Sequence, residues 1–195
     1  MAGIAVGQRA PSFRLPSAQG PEVGLDDFQG KQHTIVWFTK GMGCPFCRTQ
    51  MSQLARSHEE IRARGAEVLE ISVSHLPSAR VYAQKFRLPF SYLCDPDYRV
   101  RKDWELAAPA YGPVQLVSMM MKGMTNSPGP SDFPMGRMAP MDEARNVMRP
   151  DEMGFFIVDK QGFVRYSLAG EYMTAKGSRA IPTGAEIVRE LEAIG

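Results

Sequence analysis

Cys44 and Cys47 stand three positions apart in WFTKGMGCPFCRTQM, residues 37–51. Two sulfurs at that spacing have four chemical uses. They can help hold a metal, close a structural disulfide, pass electrons by thiol–disulfide exchange, or attack a peroxide. The elements that carry them narrow the choice. HTIVWFT (33–39) is an unbroken apolar, β-branched and aromatic run, the pattern of a central strand buried on both faces. Pro45 follows Cys44, and proline is favoured at the first position of a helix. Met51, Leu54, Ala55, His58 and Ile61 then recur at helical spacing, and RARG ends the run with basic residues and Gly65. The pair therefore sits at a strand-to-helix junction.

That junction makes a thiol reactive. Only the thiolate is a good nucleophile, and a free cysteine titrates near pH ~8.5. A helix start offers unbonded N–H groups and roughly half a positive charge. Cys44 falls at the expected cap, and Cys47 lies one turn in on the same side. Lys40 and Arg48 add positive charge, while Gly41 and Gly43 leave the approach open and the backbone adaptable. A zinc site needs about four ligands. The chain has this one CxxC, the further Cys94, and three scattered histidines, His33, His58 and His75. Cu(I) suits thioethers, but methionine more commonly fills apolar gaps. We expect no metal and no cofactor.

The rest of the chain supplies the positioning elements. SFRL and EVGL near the N-terminus read as a loose hairpin or as edge strands. AEVLEISVS (66–74) reads as a strand, PSARVYAQKFRL (77–88) as a helix, PFSYLCD (89–95) as a strand and PDYRVRKDWEL (96–106) as a short helix. MGFFIVDKQGFVRYSLAG (153–170) reads as a hairpin around the turn DKQG, where Asp159 and Gly162 serve the turn. TGAEIVRELEAI (183–194) is an amphipathic helix with a capping box from Thr183 to Glu186. Strands alternating with helices imply right-handed crossovers and a parallel centre, and the hairpin makes the sheet mixed. This is an α/β, thioredoxin-like order in a single domain, 1–195. Residues 107–150 are a long insertion holding seven prolines and eight of the thirteen methionines. We expect it to cover or flank the active-site end. Trp37 and Phe38 read as core, and Cys94 as a buried structural thiol.

Composition excludes several partners. Lys and Arg number 23 and Asp and Glu 21, a formal charge of +2 that argues for neither nucleic acid nor an acidic surface. No apolar run approaches the ~20 residues of a membrane helix. The first twenty residues lack a signal-peptide core, so a soluble, cytoplasmic protein is expected.

The residues then resemble a family. VGQRAPSFRLPSAQGPEVGLDDFQGK is similar to the N-terminal pattern of the alkyl hydroperoxide reductase/thiol-specific antioxidant (AhpC/TSA) group, the peroxiredoxin-like branch of the thioredoxin superfamily. WFTKGMGCPFC is similar to the motif of its CPxC-bearing members, and EVLEISVS, LPFSYLCDPD and GFFIVDKQGFVRY look like its later strands. The resemblance does not cover 107–150. It implies an antioxidant oxidoreductase that reduces hydrogen or organic peroxides and ends in a Cys44–Cys47 disulfide. An external dithiol such as a thioredoxin or glutaredoxin would restore it, and a homodimer is one assembly the resemblance allows.

Three positions depart from the family pattern. Cys44 stands in place of Thr, Lys40 in place of Pro, and Met153 where an Arg is usual, with Arg149 four residues earlier as a substitute. The family alignment puts the attacking sulfur at Cys47, whereas the helix-terminus argument puts it at Cys44. The departures also admit a thiol–disulfide reductase or isomerase without peroxidase activity, or a non-enzymatic redox or binding module.

Overall fold

The computed structural model describes residues 3–106, 129–134, 153–170, 173–174, 177–178 and 181–195. A small antiparallel pair comes first, β1 (Arg14–Leu15) and β2 (Val23–Gly24), the hairpin expected there. β3 (His33–Thr39) is buried at every position, as its unbroken apolar run requires. α1 (Pro45–Ala63) leads to β4 (Ala66–Ser72), and α2 (Leu76–Phe86) to β5 (Ser91–Cys94). β3, β4 and β5 are parallel neighbours. After α3 (Arg99–Asp103), β6 (Met153–Val158) lies antiparallel to β3 and β7 (Val164–Gly170) antiparallel to β6. The sheet order is β5-β4-β3-β6-β7, the mixed sheet that the element order predicts. Another small pair, β8 (Met173–Thr174) and β9 (Gly177–Ser178), precedes α4 (Gly184–Ile194).

The pleat divides the core. Ile35, Trp37, Val68, Tyr92, Phe155 and Ile157 face α1 and α4, in the same cluster as Cys44, Cys47, Met51, Leu54 and Ile187. Val36, Phe38, Leu69, Ile71, Leu93 and Phe156 face the other way, onto Trp104 and Val100 from the α3 region and onto Phe13 and Leu15. Each large apolar side chain buried in this way contributes roughly 1.5–3 kcal/mol. Trp37, Phe38 and Cys94 are all buried, as expected.

Local interactions set the helix boundaries, and one of them differs from the sequence reading. α1 ends at Ala63 with Gly65 at φ +70°, a left-handed turn that a residue without Cβ takes at low cost. The helix expected at 96–106 shrinks to Arg99–Asp103. Its start is fixed by the Asp95 carboxylate, which accepts the Arg99 N–H and the Arg101 N–H, both at 3.0 Å. α4 begins where the capping box places it. Thr183 Oγ1 accepts the Glu186 N–H at 3.3 Å, and the Glu186 carboxylate accepts the Thr183 N–H at 2.7 Å. Thr183→Ala should cost about 1 kcal/mol. Thermal unfolding would read this as a fall of about 2–4 °C, and an unchanged midpoint would mean that the cap is idle.

Candidate active site

The four residues between β3 and Cys44 are held from several sides. Gly41, at φ +83°, accepts the Cys44 N–H through its carbonyl at 3.1 Å and donates its own N–H to Thr39 Oγ1 at 3.0 Å. Thr39 Oγ1 in turn donates to Glu70 Oε1 at 2.8 Å. The Met42 N–H donates to the Tyr92 hydroxyl at 3.2 Å, and that hydroxyl pairs with Ser74 Oγ at 2.8 Å. Arg48 Nη1 donates to the carbonyls of Met42 at 2.7 Å and Gly43 at 3.3 Å. From α3, Arg101 Nη2 donates to the Thr39 carbonyl at 2.7 Å. The loop thus presents Cys44 from a fixed frame.

Cys44 is the N-cap of α1, in extended conformation, with Pro45 at the first helical position. Its side chain is 5% exposed, while Cys47 is fully buried beneath it. Both are free thiols. The Cys44 pKa falls to about 7, below the usual thiol range. The largest cause is a hydrogen bond from the Cys47 thiol. The N–H groups of Cys47 and Phe46 and the charge of Lys40 act in the same direction, and together they outweigh burial. Cys47 is pushed well up, first by giving its proton to that bond, then by burial and by the nearby negative charge of Cys44 and Glu70. Its Sγ also lies 3.8 Å from Met153 Sδ. A thiol has one proton, and an ionised sulfur accepts it better than a neutral thioether. Once Cys44 ionises, therefore, the proton of Cys47 turns toward Cys44. The arrangement separates an ionisable sulfur at the rim from a protonated one below.

The residues singled out in the sequence occupy this region in different ways. Lys40 and Gly43 lie in the loop, Pro45 and Arg48 in the first turn of α1. Arg48 clamps the loop carbonyls, a role the sequence reading did not anticipate. Arg149 lies outside the described residues, as does most of the 107–150 insertion. Six of the insertion's residues, 129–134, run along α1 just past the cysteines. Thr49 Oγ1 donates to the Gly129 carbonyl at 2.9 Å, and the Asp132 N–H donates to Ser52 Oγ at 2.8 Å. Phe133 is buried and meets Phe86 edge-on, with ring centroids 5.7 Å apart. This piece flanks the helix that carries both sulfurs.

Glu70, Tyr92, Arg101 and the Cys47 contact of Met153 were missed. A signal existed for Glu70. Strand alternation puts Ala66, Val68, Glu70 and Ser72 on one face, and the first two are apolar. An acid in that row faces the core. Among the described residues, no group of three or more His, Cys, Asp or Glu could hold a metal ion.

Comparison with known proteins gives a family match and similar folds. The AhpC/TSA family model matches residues 6–167. The chloroplastic peroxiredoxin Q of Populus jackii is 36% identical over 106 residues, 54% of this chain and 49% of that one. The chloroplastic peroxiredoxin Q of Suaeda salsa is 33% identical over 112 residues, 57% of this chain and 52% of that one. The chain spans about half the length of these curated relatives. Among solved structures, peroxidoxin BcpB from Mycobacterium tuberculosis superposes with a TM-score of 0.64 at 14% identity, covering 97% of each chain. Peroxiredoxin Q from Xanthomonas campestris gives 0.63 at 14% identity, covering 93% of this chain and 90% of that one. At such identities the likeness is one of fold, and the fold is thioredoxin-like.

Proposed function

The chain belongs to the AhpC/TSA family, and on that premise we propose that it reduces hydrogen or organic peroxides with its own two thiols. One observation carries the reading: a cap-position thiol with a pKa of about 7 that accepts a hydrogen bond from a second, protonated thiol one turn away. The family membership and relatives named peroxiredoxin Q support it.

The Cys44 thiolate attacks one peroxide oxygen. The S–O bond forms as the O–O bond breaks, and the other oxygen leaves as an alcohol or water after taking a proton. Cys44 becomes a sulfenic acid. Cys47 sulfur then attacks the Cys44 sulfur. The S–S bond forms, the S–O bond breaks, and the oxygen departs as water with the proton of Cys47. Two electrons have left the thiol pair. An external dithiol of the thioredoxin or glutaredoxin class returns them by exchange. We place the reaction in the cytoplasm and allow a homodimer. We also assign the 107–150 insertion to the same domain, as a flank of this site.

The test is rapid mixing of reduced protein with peroxide across pH. The rate of thiol loss should rise with pH and level off above a midpoint of about 7, because the thiolate fraction sets it. Loss no faster than that of free cysteine would sink the reading.

A further inference from the structure

Residues 129–134 of the long insertion are fastened along one stripe of α1. Pro45, Thr49, Ser52 and Arg56 are spaced four, three and four apart, so they share a helix face that runs away from the cysteines. Thr49 Oγ1 donates to the Gly129 carbonyl at 2.9 Å, and the Asp132 N–H donates to Ser52 Oγ at 2.8 Å. The Asp132 carboxylate meets Arg56 Nη2 at 2.7 Å, but this ion pair is open to water and adds little. Phe133 turns inward, into the cluster that holds Cys47 and Met51, and lies edge-on to Phe86 at the end of α2. The centre of the attachment is the carbonyl of Arg48, the residue after Cys47. Ser131 Oγ reaches it at 3.0 Å and Ser52 Oγ at 2.9 Å. Ser131 Oγ also accepts the Phe133 N–H at 3.1 Å, which leaves its own proton to donate. The rest of Arg48 holds the cysteines. Its Nη1 donates to the carbonyls of Met42 and Gly43, and its N–H donates to the Cys44 carbonyl at 3.1 Å. Arg48 therefore joins the insertion to the loop that presents Cys44.

We propose that residues 129–134 are a strap that keeps α1 wound while the Cys44–Cys47 disulfide closes and opens. The inference rests on the reading above for its purpose, since a peroxidase must close and open that bond in every cycle. Closing it draws the two sulfurs from hydrogen-bond contact to about 2 Å. The pull falls on the first turn of α1, where the N–H groups have no intrahelical partners and a helix frays most readily. An unfastened turn relieves the pull by unwinding, and the N–H groups of Phe46 and Cys47 then leave the Cys44 sulfur they serve. The strap holds the turn that follows Cys47. Those N–H groups thus stay in place for the reverse step, in which the donor dithiol breaks the S–S bond and sulfur leaves as a thiolate.

The experiment is amide hydrogen exchange over residues 49–56 of α1, in the reduced protein and after oxidation by diamide, which takes two electrons and two protons from the thiol pair. It needs no peroxide, so its outcome stands apart from that of the peroxidase assay. In the parent protein these amides should exchange at rates within about twofold of each other in the two states. Ser131→Ala combined with Phe133→Ala should raise the rate about tenfold or more in the oxidised state, and clearly less in the reduced state. The amides of β3 and β4 should keep their protection in the same sample, which shows that the domain is still folded. Ser131→Ala alone keeps the buried ring, and it should shift in the same direction by about threefold. Exchange in the oxidised parent as fast as in the double variant would overturn the proposal, because α1 would then unwind under the strap. Rates equal to the parent's in both variants would also overturn it. So would a rise of the same size in the reduced and oxidised states, because the segment would then be packing with no part in the redox cycle.

Discussion

Cys44→Ser should abolish rapid peroxide consumption, while Cys47→Ser should still consume one peroxide per chain and then stop. The expectation follows from where the charge resides. With a pKa of about 7, Cys44 is close to half ionised at neutral pH. Cys47 is held in the protonated form, first by its hydrogen bond to Cys44 and then by burial. Since the thiolate is the attacking species and burial still opposes ionisation of the thiol that remains, Cys44→Ser should slow the first step by roughly tenfold or more. Burial adds to the difference, because Cys47 is 0% exposed. Cys47→Ser loses the thiol that bonds to Cys44 sulfur, so the Cys44 midpoint should rise. It keeps a hydroxyl at the same place, and attack continues at a reduced rate. What it cannot do is form the disulfide, so the sulfenic acid accumulates and turnover with a dithiol donor fails. A mass increase of one oxygen on Cys44, with no further peroxide consumed, is the measurement. Rapid consumption by Cys44→Ser would reverse the roles and restore the assignment that the family alignment suggests.

That conflict between alignment and helix-terminus reasoning marks how far the sequence could be read. The strand 33–39, the cap at Cys44 and Pro45, and the box from Thr183 to Glu186 were legible because each depends on neighbours within one turn or one strand. So was the mixed sheet, since right-handed crossovers and a closing hairpin leave few ways to order five strands. The protonation pattern was not legible. Part of it comes from Glu70 on β4, which lies 23 positions from Cys47 in the chain. Met153 occupies the place where the family pattern has an Arg, and the sequence displays only that loss. The contact puts a neutral thioether beside the Cys47 sulfur at that position. The charge of Lys40 and the N–H groups of the α1 start favour Cys44 instead.

Trp104→Ala should be the most damaging single change to the fold. Trp104 is fully buried on the face of the sheet away from the cysteines. Its ring lies 6.3 Å from Phe13, 5.4 Å from Phe38 and 5.0 Å from Phe156, each pair tilted or edge-on. Such pairs add to the area buried. Its Nε1 donates to the Pro11 carbonyl at 3.1 Å and so ties the segment before β1 to the chain just past α3. Truncation to Ala removes the ring contacts, opens a cavity and orphans a carbonyl. The combined cost is about 3–5 kcal/mol, a large part of the ~5–15 kcal/mol that holds a domain folded. Denaturant unfolding of the reduced protein measures it. Trp104→Phe keeps most of the ring volume and loses the hydrogen bond, so it should cost less, about 1–3 kcal/mol. A loss below about 1 kcal/mol for Trp104→Ala would mean that the aromatic cluster closes over the gap and that this face contributes less than its packing implies. The two faces should also separate in their effects. In the folded fraction of Trp104→Ala, the pH midpoint of thiol reactivity should stay near 7, because the groups that set it, Cys47, Lys40 and the first amides of α1, lie across the sheet from the lost ring.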